Sequence, residues 1–330
     1  MLDGAPVLAV DLDGADTRLG HPPPPWLPCV VIGVASRPGR PAPEGVDVAV
    51  AAGGDNGVGT APPGWVHAPD PEAELTALTE AAGARAGAAV MLAQVLRLSG
   101  TLDVDAALSV ESLAYSTLQS GPAFAAWLRD RPASPARRPG PGPSVVAERH
   151  DDVLRLVLNR PHVRNAVSGG LRQELCEALA VAAADPSVRL VELRGAGPSF
   201  SSGGDLDEFG TLDDPLAAHL VRTARSPARL LAAVSERVTA YVHGAAVGAG
   251  IELAAFAGRV VADPAATFAL PELGLGLLPG AGGTVSLPRR IGRQRTAFMA
   301  LRGATLDATG ALAWGLVDEL AGVEPAVVPG

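Results

Sequence analysis

Lysine does not occur anywhere in the 330 residues, so all 26 basic side chains are arginine. That absence excludes Schiff-base chemistry and a P-loop lysine, and it leaves guanidinium groups or backbone N–H groups to contact any phosphate. Aromatic residues make up only 4% of the chain, so a core has to be built from Ala, Val and Leu. Cysteine is nearly missing as well. Cys29 lies in an apolar run and Cys176 in a helical pattern, and two separate buried thiols fit that placement better than a disulfide. Histidine and cysteine nowhere cluster with metal-ligand spacing, so no metal is expected. No apolar run is long enough to span a membrane: the best helical stretch, 84–98, is interrupted by Arg85, Gln94 and Arg97. The N-terminus carries Asp3, Asp11 and Asp13 where a secretory leader would be basic and then apolar. A cytoplasmic protein without membrane insertion is the expectation.

What is present points to a folded enzyme-sized chain. Hydrophobic residues make up 48% and charged residues 18%, enough apolar matter for a substantial core. The formal net charge of −9 argues against nucleic acid as a partner. Residues 1–70 form a small β-containing region with short strands expected at 7–10, 29–34 and 46–51, separated by proline and glycine turns. Residues 71–132 form a helical region: 71–98, broken near Gly83 or Gly87, then 104–118 and 122–128. Residues 133–143, rich in Pro, Gly, Ser and Arg, read as a linker. From 144 to 330 strands and helices alternate, with strands at 153–158, 188–193, 238–242, 260–261 and 267–269. Helices are expected at 171–184, at 215–231 with a break at Pro227, and at 287–301. That alternation indicates an α/β core.

Two carboxylates in glycine-rich surroundings carry the chemistry. Glu252 sits in Ala246-Val247-Gly248-Ala249-Gly250-Ile251-Glu252, and Glu272 in Phe268-Ala269-Leu270-Pro271-Glu272. Paired carboxylates beside backbone that can approach a ligand suit acid/base work on an activated carbonyl. The surrounding pattern resembles the enoyl-CoA hydratase/isomerase, or crotonase, superfamily. The resemblance runs through Asn159-Arg160-Pro161-His162-Val163-Arg164-Asn165-Ala166, Phe200-Ser201-Ser202-Gly203-Gly204-Asp205-Leu206, the Glu252 block, the segment 271–284 and Ala311-Leu312-Ala313-Trp314-Gly315-Leu316-Val317-Asp318. It implies stacked ββα units in a crotonase-like acyl-CoA domain over 144–330. It also implies an oxyanion hole from the N–H groups of Gly204 and Ala249, with coenzyme A as the acyl carrier of the substrate and no separate cofactor. Glu252 becomes the base that positions water and Glu272 the acid that protonates the α carbon. Arg160, Arg164, Ser202 and Gly203 become the residues that contact CoA, although ordinary surface roles suit the two arginines equally. Asp205 reads as the cap of a helix beginning near Leu206, and His243 as a structural residue.

One departure from the family is expected to matter. Family members carry further helices after the segment that matches 311–318, whereas the likeness to those helices here falls in 101–131. A permuted arrangement would let N-terminally encoded helices replace the usual C-terminal layer, with an unrelated helical cap as the alternative. The activity implied is an enoyl-CoA hydratase, with an enoyl-CoA isomerase, another crotonase-like reaction or a noncatalytic acyl-CoA-binding protein as alternatives. A homotrimer or hexamer is the implied assembly.

Overall fold

The computed structural model describes residues 5–14, 20–38, 41–53, 62–132, 140, 142–212 and 214–328. Most of the segment read as a linker, 133–139 and 141, lies outside them. The N-terminal part begins with four strands, β1 (Val7–Asp11), β2 (Val30–Ala35), β3 (Val48–Ala52) and β4 (Trp65–Ala68), paired in parallel in that order. Three of these coincide with the strands expected from the sequence; β4 was not foreseen. β2 is buried along its whole length, as its unbroken Val/Ile run requires when both sheet faces are covered. One face joins the main core through Val30, Ile32, Val48 and Val50, and the other closes on Trp65, Ala42 and Val46.

Four helices follow: α1 (Pro71–Ala84), α2 (Ala86–Ser99), α3 (Val104–Gln119) and α4 (Pro122–Asp130). The break foreseen near Gly83 or Gly87 falls between them, at Arg85. Asp70 and Asp103 cap α1 and α3 with their side chains, which places the helix starts where unpaired N–H groups need acceptors.

The remaining chain alternates: β5 (Val145–His150), β6 (Val153–Leu158), α5 (Gly169–Ala184), β7 (Leu190–Gly195), α6 (Pro215–Ala224), α7 (Pro227–Ala233), β8 (Val238–Val242), β9 (Ala245–Val247), α8 (Ala249–Ala254), β10 (Arg259–Ala262), β11 (Thr267–Ala269), α9 (Gly283–Ile291), α10 (Arg293–Arg302), β12 (Leu306–Asp307), α11 (Ala308–Trp314) and β13 (Glu319–Leu320). The main sheet has the order β13-β10-β8-β7-β6-β5, parallel except for the β5–β6 hairpin, and β12-β11-β9 form a second, smaller sheet. These parallel sheets packed against helices have the crotonase-like ββα arrangement.

The N-terminal helices do not stand apart. α1 packs on α10, α2 on α9 and α10, and α3 on α6, α7 and α9. One apolar core therefore runs from Val30 and Ile32 through Leu92 and Leu96 to Leu156 and Val285. A buried charge cluster ties the same parts together. Asp47, ahead of β3, accepts from Arg97 of α2 at 2.5 Å and from Arg293 of α10 at 2.7 Å, while the Val31 N–H donates to it at 2.8 Å. Arg97 spends its other donors on the carbonyls of Pro24, Leu27 and Cys29. No helix among the described residues is long and apolar enough to cross a membrane.

Candidate active site

Two loops leave the ends of β7 and β8 and are stitched together by backbone. Ser201 N–H donates to Ala245 O at 3.1 Å, and Val247 N–H donates to Ser201 O at 3.0 Å. The first loop hangs on Asn165, which is fully buried and whose amide donates to the carbonyls of Ala196, Ser199 and Phe200 while its oxygen accepts from Arg160 N–H. Ser201 Oγ donates to Asn165 O and accepts from Gly203 N–H, fixing the turn that presents Gly204. Gly203 has a φ of +92°, and a Cβ there would lie 2.9 Å from Val247 O, so the two loops meet only because glycine occupies that position. Gly204 and Ala249 are thereby brought to the wall of one cavity of about 210 Å³, and among the described residues neither N–H donates to the protein.

Besides Asp205 and Glu208, three further carboxylates line the same cavity. Glu252, on α8 and 1% exposed, accepts from the N–H groups of Ala281 at 2.7 Å and Gly283 at 2.8 Å. Glu272 opens a 3₁₀ turn after β11; its Oε2 is sealed from solvent and has no hydrogen-bond partner among the described residues. Glu111 comes from α3, is 2% exposed and accepts from Gly282 N–H at 2.7 Å, Thr284 N–H at 2.9 Å and Thr284 Oγ1 at 2.7 Å.

Burial raises the proton affinity of all three, because an ionised carboxylate loses its hydration there. Glu111 is pushed up to about 7 by burial, against the opposing pull of its bonds from Thr284 and Gly282. Glu272 is also pushed up to about 7, by burial and then by the charge of Glu111. Glu252 is raised well above the carboxylate range, first by burial and then by repulsion from Glu272 and Glu111. Three negative charges do not coexist at neutral pH in so small a space, so the group retains a proton. The three acids titrate as one coupled group, and Oε2 of Glu272, unpartnered among the described residues, can carry a proton without losing a backbone donor.

The N-terminal helices complete the wall. A Cβ on Gly280 would collide with the ring of Tyr115 from α3, and that ring carries the Arg222 guanidinium 4.8 Å from its centroid. Burial pushes the Tyr115 hydroxyl above its ordinary range, keeping it neutral. From α4, Phe124 and Trp127 stack on each other at 5.7 Å and meet Phe209 at 6.4 and 6.1 Å. Phe209 in turn presses on Gly204, where a Cβ would come within 2.9 Å of its ring.

The remaining expected site residues divide. Arg164, Ser202 and Gly204 line an open cleft of about 610 Å³ with His162, Val163, Ala166 and Leu206, so cleft and inner cavity meet at Gly204. Arg160 turns inward instead, pairing with Asp205 at 2.9 Å and donating to Ala166 O at 2.5 Å. Gly203 shapes the turn between Ser202 and Gly204. Asp205 accepts from Asp207 N–H and so caps the following turn, and His243 bonds Gly197 O at 2.8 Å, a structural contact. Glu111, Tyr115, Phe209 and Arg222 were not foreseen. The available signal was a carboxylate on the same helical face as Leu108 and Tyr115.

Residues 148–327 match the family model described as enoyl-CoA hydratase/isomerase. The chain is 39% identical over 176 residues to the 2,3-dehydroadipyl-CoA hydratase of Escherichia coli (strain K12), covering 53% of this chain and 68% of that protein. It is 34% identical over 188 residues to the mitochondrial enoyl-CoA hydratase of Pongo abelii, covering 56% and 63%. Among solved structures it is similar to the enoyl-CoA hydratase from Thermoplasma volcanium GSS1, with a TM-score of 0.51 at 33% identity, over 55% of this chain and 72% of that one. The matched segment leaves α1 to α4 outside it.

Proposed function

Because the chain belongs to the enoyl-CoA hydratase/isomerase (crotonase) family, we propose that it is an enoyl-CoA hydratase, adding water reversibly across the α,β double bond of an acyl-CoA thioester. The observation that carries this is the meeting of Glu252 and Glu272 with the free N–H groups of Gly204 and Ala249 in one cavity. The thioester oxygen accepts from the two N–H groups. Glu252, ionised and held by Ala281 and Gly283, takes a proton from water as the water oxygen bonds to the β carbon. The π electrons move into the enolate, whose charge the two N–H groups stabilise; such a donor contributes about 3 kcal/mol to a transition state. Glu272 delivers its proton to the α carbon, and exchange with water resets the pair.

The open cleft with Arg164, Ser202 and Gly204 is the place for the CoA moiety, with Gly203 shaping the turn beside it; Arg160, occupied by Asp205, acts by shaping the loop. A homotrimer or hexamer is the assembly in keeping with the family. Migration of a β,γ double bond is the second reading, favoured by the unpartnered Oε2 of Glu272, which could remove and return a proton alone.

The test is turnover of crotonyl-CoA, followed as loss of the conjugated thioester absorbance, beside isomerisation of a β,γ-enoyl-CoA. Glu252→Gln and Glu272→Gln should each lower kcat for hydration at least about tenfold, near 1.4 kcal/mol. Isomerisation that survives Glu252→Gln, with no hydration by the parent chain, favours the second reading. Binding of acyl-CoA without either reaction indicates a noncatalytic role.

A further inference from the structure

Four consecutive N–H groups of the 281–284 turn are dealt alternately to two carboxylates. Ala281 and Gly283 donate to Glu252, while Gly282 and Thr284 donate to Glu111. The two acids come from opposite parts of the chain. Glu252 lies on α8 in the segment the family model matches, and Glu111 on α3, outside that segment. Neither carboxylate can move without turning peptide planes that hold the other.

We propose that Glu111 is a positioning residue of this site: it holds the 281–284 turn so that two N–H groups face Glu252, and its charge keeps a proton on the Glu252–Glu272 pair. The role rests on the hydratase reading. Two observations support it besides the shared turn. Glu111 lines the same cavity as Glu252 and Glu272, and its oxygens are already committed to three donors, which favour its charged form against the burial that raises its proton affinity. The groups facing it are Tyr115 of its own helix, Arg222 of α6, Glu252 of α8, Glu272 of the 3₁₀ turn and Thr284 of α9. Arg222 is the cation among them, and it donates to Ser112, Ser116 and Gln119 without a direct bond to Glu111.

Removing a negative charge near two acids lowers their proton affinity, so the proposal makes a signed statement about pH. In Glu111→Gln both limbs of the kcat profile for crotonyl-CoA should move to lower pH by about one unit, and kcat at neutral pH should fall at least about tenfold. KM should change less than about threefold, since the residue is assigned no contact with substrate. Thr284→Val, which removes one of the donors of Glu111 and leaves its own N–H in place, should shift the profile in the same direction by less. Its milder change keeps the idea testable if Glu111→Gln does not fold.

A lower kcat with unmoved limbs in either variant would mean that Glu111 only braces the fold, and the proposal falls. Carboxyl protonation followed by infrared spectroscopy on the full chain gives an arm independent of turnover: loss of Glu111 should lower the midpoint of the remaining buried acids. An unshifted midpoint overturns the proposal. A shifted midpoint in a chain that hydrates no enoyl-CoA keeps the coupling between the carboxylates and overturns the hydratase reading instead.

Discussion

Glu272 Oε1 occupies the space a side chain on Gly248 would need: a Cβ built there would collide with it. The backbone at Gly248 has a φ of +48°, which independently disfavours any other residue. The backbone that precedes the Ala249 N–H and the acid from the 3₁₀ turn are thus in van der Waals contact, and the acid can stand so close to that backbone only because no Cβ intervenes.

Gly248→Ala should therefore act as a displacement of Glu272. We expect kcat for crotonyl-CoA to fall by about a hundredfold or more, in line with misplacement of a catalytic group by an ångström. A folded Gly248→Ala protein with wild-type kcat would show that Glu272 does not need this position.

Stability should report the raised proton affinity of Glu272 with a definite sign. The native group titrates at about 7 against an ordinary value of 4.5, so between these values the native state keeps a proton that the unfolded chain has lost. Its contribution is fully present below 4.5 and is lost as pH rises through 7. Glu272→Gln should accordingly be more stable than the parent at pH 8, by on the order of 3 kcal/mol, with no advantage at pH 4. Urea unfolding across that range checks it; parallel curves for the two proteins would mean that Glu272 is solvated.

The buried charges around Asp47 predict a structural loss far from the cavity. Asp47→Asn leaves Arg97, with its side chain fully buried, and the largely buried Arg293 without an anion. Breaking such a cluster from one side costs about 3–5 kcal/mol. Thermal unfolding should drop as one transition, because the same cluster binds β3, α2 and α10. A loss under about 1 kcal/mol would mean that water reaches the arginines.

Light scattering on the purified chain should give the mass of three or six protomers. A monomer that persists over a broad concentration range would show that the N-terminal helices do not serve assembly as the family's terminal helices do.

How far the sequence could be read depended on the distance over which each residue acts. The turns at Gly203-Gly204 and Gly248-Ala249 are local, with glycines that a close backbone approach demands, and the family resemblance of those short motifs pointed to both. Most strands and helices were also legible, because Val/Ile runs and the break at Pro227 are short-range signals. β5 was missed: its Glu148-Arg149-His150 end is polar because it is the edge of the sheet, where one side faces solvent. β4 and β9 are too short to show a period. Arg160 looked like a free cation, but its partner Asp205 lies 45 residues on. Glu111 was invisible for the same reason in stronger form. On α3 it reads as one acid in an amphipathic helix, and its donors Gly282 and Thr284 are 171 and 173 residues away.

That separation has a consequence for how the molecule comes into being. α3 leaves the ribosome long before α9, the element that brings the donors of Glu111 and the last part of its packing surface. At about 5–20 residues per second the wait is roughly 10–30 s, far longer than collapse or helix formation. Leu108 and Tyr115 stay uncovered until α6 and α7 emerge, and Glu111 keeps water as its donor until the 281–284 turn replaces it. The turn shared by Glu111 and Glu252 can therefore form only after residues 281–284 have been made, when it closes a loop of 171 to 173 residues.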